Sequence, residues 1–173
     1  MSSERFLLAI DQGTTGTTAL LIDTRLHIVA KVNREFPQIF PQPGWVEHNP
    51  EAIWSSVTDS VAAVLAEANV SGEAIAAIGI TNQRETTVVW DRETHAPIYN
   101  AIVWQCRRTA DRCAAMRDAG HEAQVRATTG LVVDAYFSGT KAAWILDRVD
   151  GARARAEAGE LAFGTIDSFV TWR

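Results

Sequence analysis

The chain has little of what marks several functional classes. Only two of its 173 residues are cysteines, and the spacing of Cys106 and Cys113 matches neither a Cys-x-x-Cys pair nor a zinc site. Basic residues do not predominate, since 16 Lys and Arg stand against 21 Asp and Glu. The resulting net charge of −5 argues against nucleic-acid binding, which usually needs a basic surface. No run of about 18 apolar residues is present, so no membrane span is predicted.

The beginning of the chain lacks the pattern of a secretory signal. The apolar run at residues 6–10 is short and leads directly into Asp11, without a small-residue cleavage site. Together with the scarcity of cysteine, this predicts a reduced, cytoplasmic protein. The four histidines are scattered and accompany no Ser or Cys nucleophile, so we expect them on the surface or in loops. They are His27, His48, His95 and His121.

What the chain does contain is the pattern of an α/β domain. Apolar residues make up 47% of the sequence, which is ordinary for a globular protein. Residues 6–12, 17–23 and 27–36 predict three strands of a β-meander. A helix is predicted from Asn49, a good N-cap followed by Pro50, to about residue 69, and 75–81 reads as a buried strand. This strand–helix–strand order favours an α/β sheet over an all-β sandwich.

The second half predicts shorter elements. The proline-rich segment 36–48 should be irregular, and residues 91–94 should form the turn of a hairpin. A short strand is expected at 101–104, and helices are expected at 109–119, 121–127 and 140–149. The apolar-rich end at 166–173 has no helix stop, which suggests a chain that continues in a longer protein.

The most informative motif is residues 11–18, Asp-Gln-Gly-Thr-Thr-Gly-Thr-Thr. It lies between two predicted strands, so it should be the tip of a hairpin. Glycines allow close approach of the backbone to a ligand, and clustered hydroxyl and N–H groups can hold phosphate oxygens. Asp11 is suited to a magnesium ion, reached through water. The Walker pattern Gly-x-x-x-x-Gly-Lys is absent. By itself the motif is equally compatible with a polar turn.

Three further segments place polar or aromatic groups after predicted strands or before a helix. Residues 81–86 are polar and follow a strand, where α/β proteins place ligand sites, and Arg84 with Glu85 offers donors and acceptors together. Trp104 can present an apolar face to a ligand, and Tyr136 can offer a hydroxyl. Taken singly, each is also compatible with an ordinary structural role: a solvated loop, a core tryptophan and a structural tyrosine.

Taken together, these segments resemble glycerol kinases of the FGGY carbohydrate kinase family along essentially the whole chain. The most specific blocks are Asn-Gln-Arg-Glu at 82–85 and Trp-Gln-Cys-Arg-Arg at 104–108. Further matching segments are residues 9–15, 43–48, 78–86, 100–108, 136–141 and 163–165.

The resemblance implies a ribonuclease-H-like fold of the actin and sugar-kinase type. It implies that residues 1–173 form an incomplete amino-terminal domain, and that a second, nucleotide-binding domain lies outside this chain. The implied reaction transfers the γ-phosphoryl group of ATP, with Mg²⁺, to glycerol. The fragment alone is not expected to turn over, and a homo-oligomer of the full-length protein is left open.

The resemblance also assigns roles to individual residues. Arg84, Glu85 and Tyr136 would hydrogen-bond glycerol hydroxyls, and Trp104 would pack on its carbon face. Gly13, Thr14 and Thr15 would contact nucleotide phosphates, and Asp11 would help to place Mg²⁺. The catalytic base, an aspartate in this family, would come from beyond residue 173.

The chain departs from the family in one place. Many members have Ser-Ser-Arg after the two threonines, where this chain has Gly16, Thr17 and Thr18. The phosphate contact of that arginine is therefore in doubt. Two alternatives stay open at this point: a kinase for another small polyol or sugar, and a domain that binds glycerol or nucleotide without turnover.

Overall fold

A computed structural model describes residues 5–173 in two compact units. The first comprises residues 5–37 together with Asn49–Gln83, and the second comprises Gln38–His48 and Arg84–Arg173. Residues 1–4 lie outside the described residues. The prediction that no signal segment is present concerns these residues in part, and to that extent it stays a prediction. None of the helices formed by residues 5–173 has the length and apolar character that crossing a bilayer requires.

The first unit is a four-stranded mixed sheet with one long helix. Strands β1 (Phe6–Gln12), β2 (Gly16–Asp23) and β3 (Ile28–Glu35) form the predicted antiparallel meander. Strand β5 (Ile75–Asn82) lies parallel to β1, so the strand order is β3-β2-β1-β5. A 3₁₀ turn, Gly72–Ala74, precedes β5.

Helix α1 (Pro50–Ala68) begins as the sequence predicts. The Asn49 side chain accepts a hydrogen bond from the Glu51 backbone N–H at 2.9 Å, and Pro50 occupies the first turn, where no backbone donor is needed. The helix ends at Asn69 in the left-handed conformation. Its apolar side packs on β2 and β3, and the core between them contains Leu21, Ala30, Val32, Ile53, Val57 and Val64.

The prediction that residues 75–81 are buried is wrong. Strand β5 is mostly exposed, and Ile78 retains 59% of its accessible surface. Its apolar composition correctly predicted a strand, but a strand is buried only where other elements pack against its faces and edges. Among the described residues only β1 pairs with β5, so β5 is the edge of this sheet.

The second unit is built from short elements. Its strands are β4 (Glu47–His48), β6 (Val88–Asp91), β7 (Ala101–Ile102) and β8 (Leu161–Gly164), paired as β4-β7 and β6-β8. The helices are α2 (Ala110–Asp118), α3 (Glu122–Thr129), α4 (Ser138–Arg148), α5 (Ala152–Glu157) and α6 (Ile166–Trp172).

Most of the predicted elements of this unit are confirmed. Helices α2, α3 and α4 lie where the sequence places them, and the turn after β6 is closed by a hydrogen bond from the Asp91 N–H to the Ala96 carbonyl, at 2.9 Å. Strands β4 and β8 and helices α5 and α6 were not predicted. Strand β4 lies at the end of segment 36–48, which was expected to be irregular throughout. Strand β8 has only four residues, and it pairs with β6, about 70 residues earlier in the chain. Because this partner is distant in sequence, the local pattern of residues does not predict the strand. One core of this unit contains Val89, Ile102, Cys106 and Ile145.

The prediction that all four histidines lie on the surface or in loops fails for His48. His48 is fully buried on β4, and its Nε2 lies 2.6 Å from Gln38 Oε1. Burial lowers the pKa of His48 to about 4, so the ring is neutral at pH 7. A two-residue strand surrounded by proline-rich chain has no periodicity from which this burial could be predicted.

Candidate functional site

In the first unit, residues 13–16 turn the chain between β1 and β2. The Gly13 N–H donates to the Gly16 carbonyl at 2.9 Å, and Gln12 pairs with Thr17 at the end of the ladder. Thr14 is half-buried and Thr15 is exposed. The structure therefore places the predicted phosphate-binding residues at one hairpin tip.

Two buried glutamines fix this tip. The Gln83 side-chain amide donates to Gln12 Oε1 at 3.0 Å and to the Gly13 carbonyl at 3.3 Å. The Gln12 amide donates to the same carbonyl at 2.8 Å, and the Gln83 N–H donates to the Gln12 carbonyl at 2.8 Å. Because both side chains are buried, these bonds are shielded from water and hold the turn in one conformation.

Gly16 is required by packing. A Cβ atom at residue 16 would lie 2.8 Å from the Arg34 carbonyl oxygen of β3, closer than side chains tolerate. Thr17 behind it is buried, and its hydroxyl lies 2.7 Å from that of Ser56 on α1. The next residue, Thr18, accepts a hydrogen bond from the Asn33 amide at 3.0 Å. At the place of the family arginine, this chain thus has a short cross-strand contact.

Asp11 lies one residue before the end of β1 and is exposed. Within residues 5–173 no cluster of three or more His, Cys, Asp or Glu side chains could enclose a metal ion. Magnesium often keeps several waters and is held by one or two carboxylates together with substrate phosphates. A single exposed carboxylate beside a phosphate-type turn fits that mode of binding and does not fit a closed metal cage.

In the second unit, Glu85 follows β5 in an unusual backbone conformation. Its φ angle is +67°, a region that residues other than glycine rarely adopt and that persists only where the surroundings hold it. Its carboxylate Oε2 accepts hydrogen bonds from the Ser138 N–H at 2.8 Å and the Ser138 hydroxyl at 2.7 Å. These bonds connect Glu85 to the start of α4.

Trp104 and Tyr136 lie together in the same unit. Their ring centroids are 6.0 Å apart in an edge-to-face arrangement, and both residues are partly exposed. The Trp104 N–H donates to the Thr86 hydroxyl at 3.2 Å, which ties this residue to the segment that carries Glu85. Glu85, Trp104 and Tyr136 therefore converge from three separate segments. We call these three residues the polar–aromatic cluster.

Arg84 is the predicted substrate residue that the structure does not connect to this cluster. Its side chain is exposed, and within residues 5–173 it makes no hydrogen bond to Glu85, Trp104 or Tyr136. Adjacency in sequence predicted that Arg84 and Glu85 act together. In the structure the backbone turns at Glu85, which has a left-handed φ angle, and the two neighbouring side chains do not act as a pair.

Two residues that sequence reasoning did not assign support the cluster. Lys141 is fully buried on α4 and donates to the Glu85 carbonyl at 3.1 Å and to the Tyr136 carbonyl. Asp134 accepts a hydrogen bond from the Tyr136 N–H at 2.7 Å and pairs with Arg107 at 3.0 Å. Although partial burial acts in the opposite direction, these contacts hold the pKa of Asp134 below its ordinary value.

A signal for Lys141 was present in the sequence. It stands four residues before Ile145, and these two are the buried residues of α4. A lysine on the core-facing stripe of a helix is unusual and indicates a specific partner.

The two arginines that follow the Trp104 segment have different roles. The Arg107 side chain is half-exposed, but the Arg108 side chain is fully buried. It forms an ion pair with Glu47 at 2.7 Å, and its guanidinium carbon lies 3.9 Å from the centre of the Trp45 ring. Arg108 is therefore part of the packed interior of the second unit, where loss of either partner would leave a buried charge unpaired.

A separate groove of about 420 Å³ lies among α2, α3 and α4. It is lined mainly by apolar side chains, including Met116, Val125, Leu131 and Val133. None of the predicted substrate-binding residues lines it.

Comparison with known proteins shows the family to which the chain belongs. The model of the amino-terminal domain of the FGGY family of carbohydrate kinases matches residues 6–173. The chain is 56% identical to the glycerol kinase of Enterobacter sp. (strain 638) over 173 residues, and 60% identical to that of Xanthomonas axonopodis pv. citri over 169 residues. These matches cover 100% and 98% of this chain but 34% of each relative. The chain thus spans about a third of the length of the curated relatives it matches.

Solved structures give the same result for the fold. The glycerol kinase of Plasmodium falciparum, crystallised with ADP, matches with a TM-score of 0.87 and 30% identity, over 96% of this chain and 33% of that one. A gluconate kinase from Lactobacillus acidophilus matches with a TM-score of 0.86 at 20% identity, over 98% of this chain and 33% of its own, which supports the fold alone. The prediction of an α/β, ribonuclease-H-like fold with a mixed sheet is confirmed, and the chain belongs to the FGGY family of carbohydrate kinases.

Proposed function

We propose that this chain is part of a glycerol kinase, which transfers the γ-phosphoryl group of ATP to glycerol and forms sn-glycerol 3-phosphate. The observation that carries the proposal is the convergence of Glu85, Trp104 and Tyr136 in one unit. A carboxylate, a phenol and an indole face together suit a three-carbon polyol, whose hydroxyls need donors and acceptors and whose carbons need an apolar surface. The glycerol kinases among the relatives support the same choice.

In this proposal each group of residues has a distinct task. Glu85 accepts a hydrogen bond from one glycerol hydroxyl, Tyr136 and Arg84 bond the others, and Trp104 packs on the carbon chain. A polyol lacking a hydroxyl would leave one of these groups unsatisfied, which penalises the wrong substrate.

The hairpin of the first unit is proposed to hold nucleotide phosphates. The N–H groups of Thr14 and Thr15 and the threonine hydroxyls would supply donors, while the Gly13 N–H closes the turn and its lack of a side chain allows close approach of the phosphates. The buried glutamines keep the tip rigid. Asp11 is proposed to hold Mg²⁺ through water. When bound, the ion neutralises the charge of the phosphates during transfer, a reaction that depends mainly on positioning and electrostatics.

The proton of the attacking hydroxyl needs an acceptor. The family resemblance assigns this role to an aspartate that would lie in the part of the relatives that this chain does not span, and we propose that no residue of 1–173 replaces it. We also propose that residues 1–173 form an incomplete amino-terminal domain, with the nucleotide-binding domain elsewhere in a longer protein. A cytoplasmic location and a homo-oligomeric full-length protein remain part of the proposal.

The test is ADP release by the complete natural polypeptide that contains residues 1–173, with MgATP and either glycerol, xylulose or gluconate. We expect turnover that depends on glycerol and is at least tenfold weaker with the other two compounds. Glu85→Gln should raise the KM for glycerol about tenfold and leave the KM for ATP nearly unchanged. Preference for a sugar, or binding of glycerol without any ADP release, would contradict the proposal.

A further inference from the structure

Lys141 is a lysine that the protein buries completely. The chain has two lysines, and Lys31 on β3 is exposed whereas Lys141 on α4 retains none of its accessible surface. Removing an ammonium group from water is unfavourable unless its donors find partners. Among the described residues no carboxylate lies close enough to Lys141 to form an ion pair. The charges of Glu85 and Asp134 favour the ammonium form from a longer distance, but they do not satisfy its hydrogen-bond donors directly.

The donors of Lys141 bind two main-chain carbonyls. One belongs to Glu85, at 3.1 Å, and the other belongs to Tyr136. These residues are 51 positions apart in the chain, and each is a proposed ligand of the polyol. A cation that bridges two carbonyl oxygens fixes the separation of their segments, because charge-assisted hydrogen bonds are stronger and more directional than neutral ones.

The conformation of Glu85 requires contacts that hold it in place. A glutamate at a φ of +67° relaxes towards the ordinary right-handed or extended regions unless other contacts prevent it. Ser138 holds the carboxylate of Glu85, and Lys141, three residues later on the same helix, donates to its carbonyl. The same carbonyl also accepts hydrogen bonds from the hydroxyls of Ser138 at 3.3 Å and Thr87 at 3.2 Å. The first turn of α4 therefore fixes both ends of this residue.

We propose that Lys141 is a positioning residue for polyol binding, which holds Glu85 and Tyr136 in the geometry needed to bind the substrate without touching it. The inference rests on the proposed function and extends it. A purely structural role predicts a different outcome, since loss of core stability would lower the amount of active protein without changing the affinity of the remaining active molecules.

The test compares Lys141→Met, which keeps the length and apolar stem of the side chain but has no donors, with Lys31→Met as the matched exposed control. Both are made in the complete natural polypeptide, and KM values for glycerol and ATP are measured separately. We expect Lys141→Met to raise the KM for glycerol about 10- to 100-fold while the KM for ATP changes less than about twofold. Lys141→Arg, which retains donors and charge, should recover part of the affinity, and Lys31→Met should behave as the parent.

Measurements on the parent protein distinguish failure of the proposed function from failure of the inference about Lys141. If the parent shows no glycerol-dependent turnover, the proposed function falls and the role of Lys141 falls with it. If the parent is active and folded Lys141→Met keeps the KM for glycerol, only the inference about Lys141 is overturned.

A measurement on the unaltered chain covers the case in which Lys141→Met does not fold. In the complete natural polypeptide labelled with ¹³C-lysine, the Cε signal of Lys141 should shift when glycerol is added, and that of Lys31 should stay in place. The Lys141→Arg and Lys31→Met variants assign the two signals. A Trp104 indole signal that responds to glycerol while the Lys141 signal does not would overturn the inference.

Discussion

The two units present their candidate binding groups in different ways. In the first, the hairpin at residues 13–16 is contiguous in sequence and offers main-chain donors, held by two buried glutamines. In the second, Glu85, Trp104 and Tyr136 come from distant segments and are joined through α4 and Thr86. The first arrangement suits a phosphate, which can be bound by a cluster of main-chain N–H donors. The second suits a polyol that must be distinguished from similar polyols and sugars.

This difference extends to the polar groups that each unit buries. The hairpin depends on neutral amides, whereas the interior of the second unit holds an ion pair, a neutral histidine and a lysine. Buried charges are costly to leave unpaired, so the second unit should be the more sensitive of the two to substitution and to pH.

The largest expected effect is on the buried ion pair of the second unit. Arg108→Met leaves the Glu47 carboxylate buried with only Tyr99 and Asn100 as partners, and should destabilise this unit by about 3–5 kcal/mol. Denaturant unfolding measures the loss, and hydrogen exchange should locate it in β4 and β7, where Glu47 pairs with Ile102. The control Arg153→Met breaks an exposed pair with Asp147 and should change little. Equal effects of the two variants would contradict the comparison.

The next effect is a loss of stability in mild acid. The pKa of His48 is about 4 in the folded chain and about 6.5 when unfolded, so between these values only the unfolded state takes up the proton. Stability therefore falls as the pH drops from 6.5 to 4, by about 3 kcal/mol from this residue. Unfolding measured across this range should be less dependent on pH in His48→Gln than in the parent. An unchanged pH dependence would show that His48 is not responsible.

A third effect concerns the first unit. Gly16→Ala places a Cβ against the Arg34 carbonyl and should destabilise the sheet by about 1–3 kcal/mol. Gly79→Ala on β5 is the matched control, since a Cβ added there would have no atom within 4 Å and the same residue type is introduced into a strand. Thermal unfolding of both variants measures the difference. If both substitutions cost the same, the close approach at Gly16 is not what requires glycine there.

The smallest effect separates the two binding regions. Thr15→Val removes an exposed hydroxyl from the hairpin tip and should raise the KM for ATP about three- to tenfold, with the KM for glycerol unchanged. Thr18→Val, which loses only the cross-strand bond to Asn33, should leave both constants nearly unaltered. Steady-state kinetics of the complete natural polypeptide provide the measurement. A larger change for glycerol than for ATP would contradict the division of roles.

Sequence alone predicted the features that depend on neighbouring residues. The meander, the capped helix α1 and the hairpin tip follow from periodicity, an Asn-Pro start and a glycine-rich turn, each contained in a few positions. It also placed Glu85, Trp104 and Tyr136 among the candidates, although only the family resemblance joined them.

What sequence did not predict depends on distant partners. The burial of His48 and Arg108, the exposure of β5 and the role of Lys141 are set by segments that meet only in the folded chain. Local sequence patterns indicate the secondary structure and the burial that a residue type usually adopts. In these four cases the observed burial or contact depends instead on segments that are distant in sequence.

The most direct test of the account is an NMR comparison of two ligands on residues 1–173. Glycerol should shift the indole signal of Trp104 and the amides of Glu85 and Tyr136, and MgADP should shift the amides of Gly13–Thr15. This result would assign the polyol to the polar–aromatic cluster and the phosphates to the hairpin. Saturating glycerol that leaves the cluster signals in place, or that shifts the hairpin amides instead, would contradict the central claim.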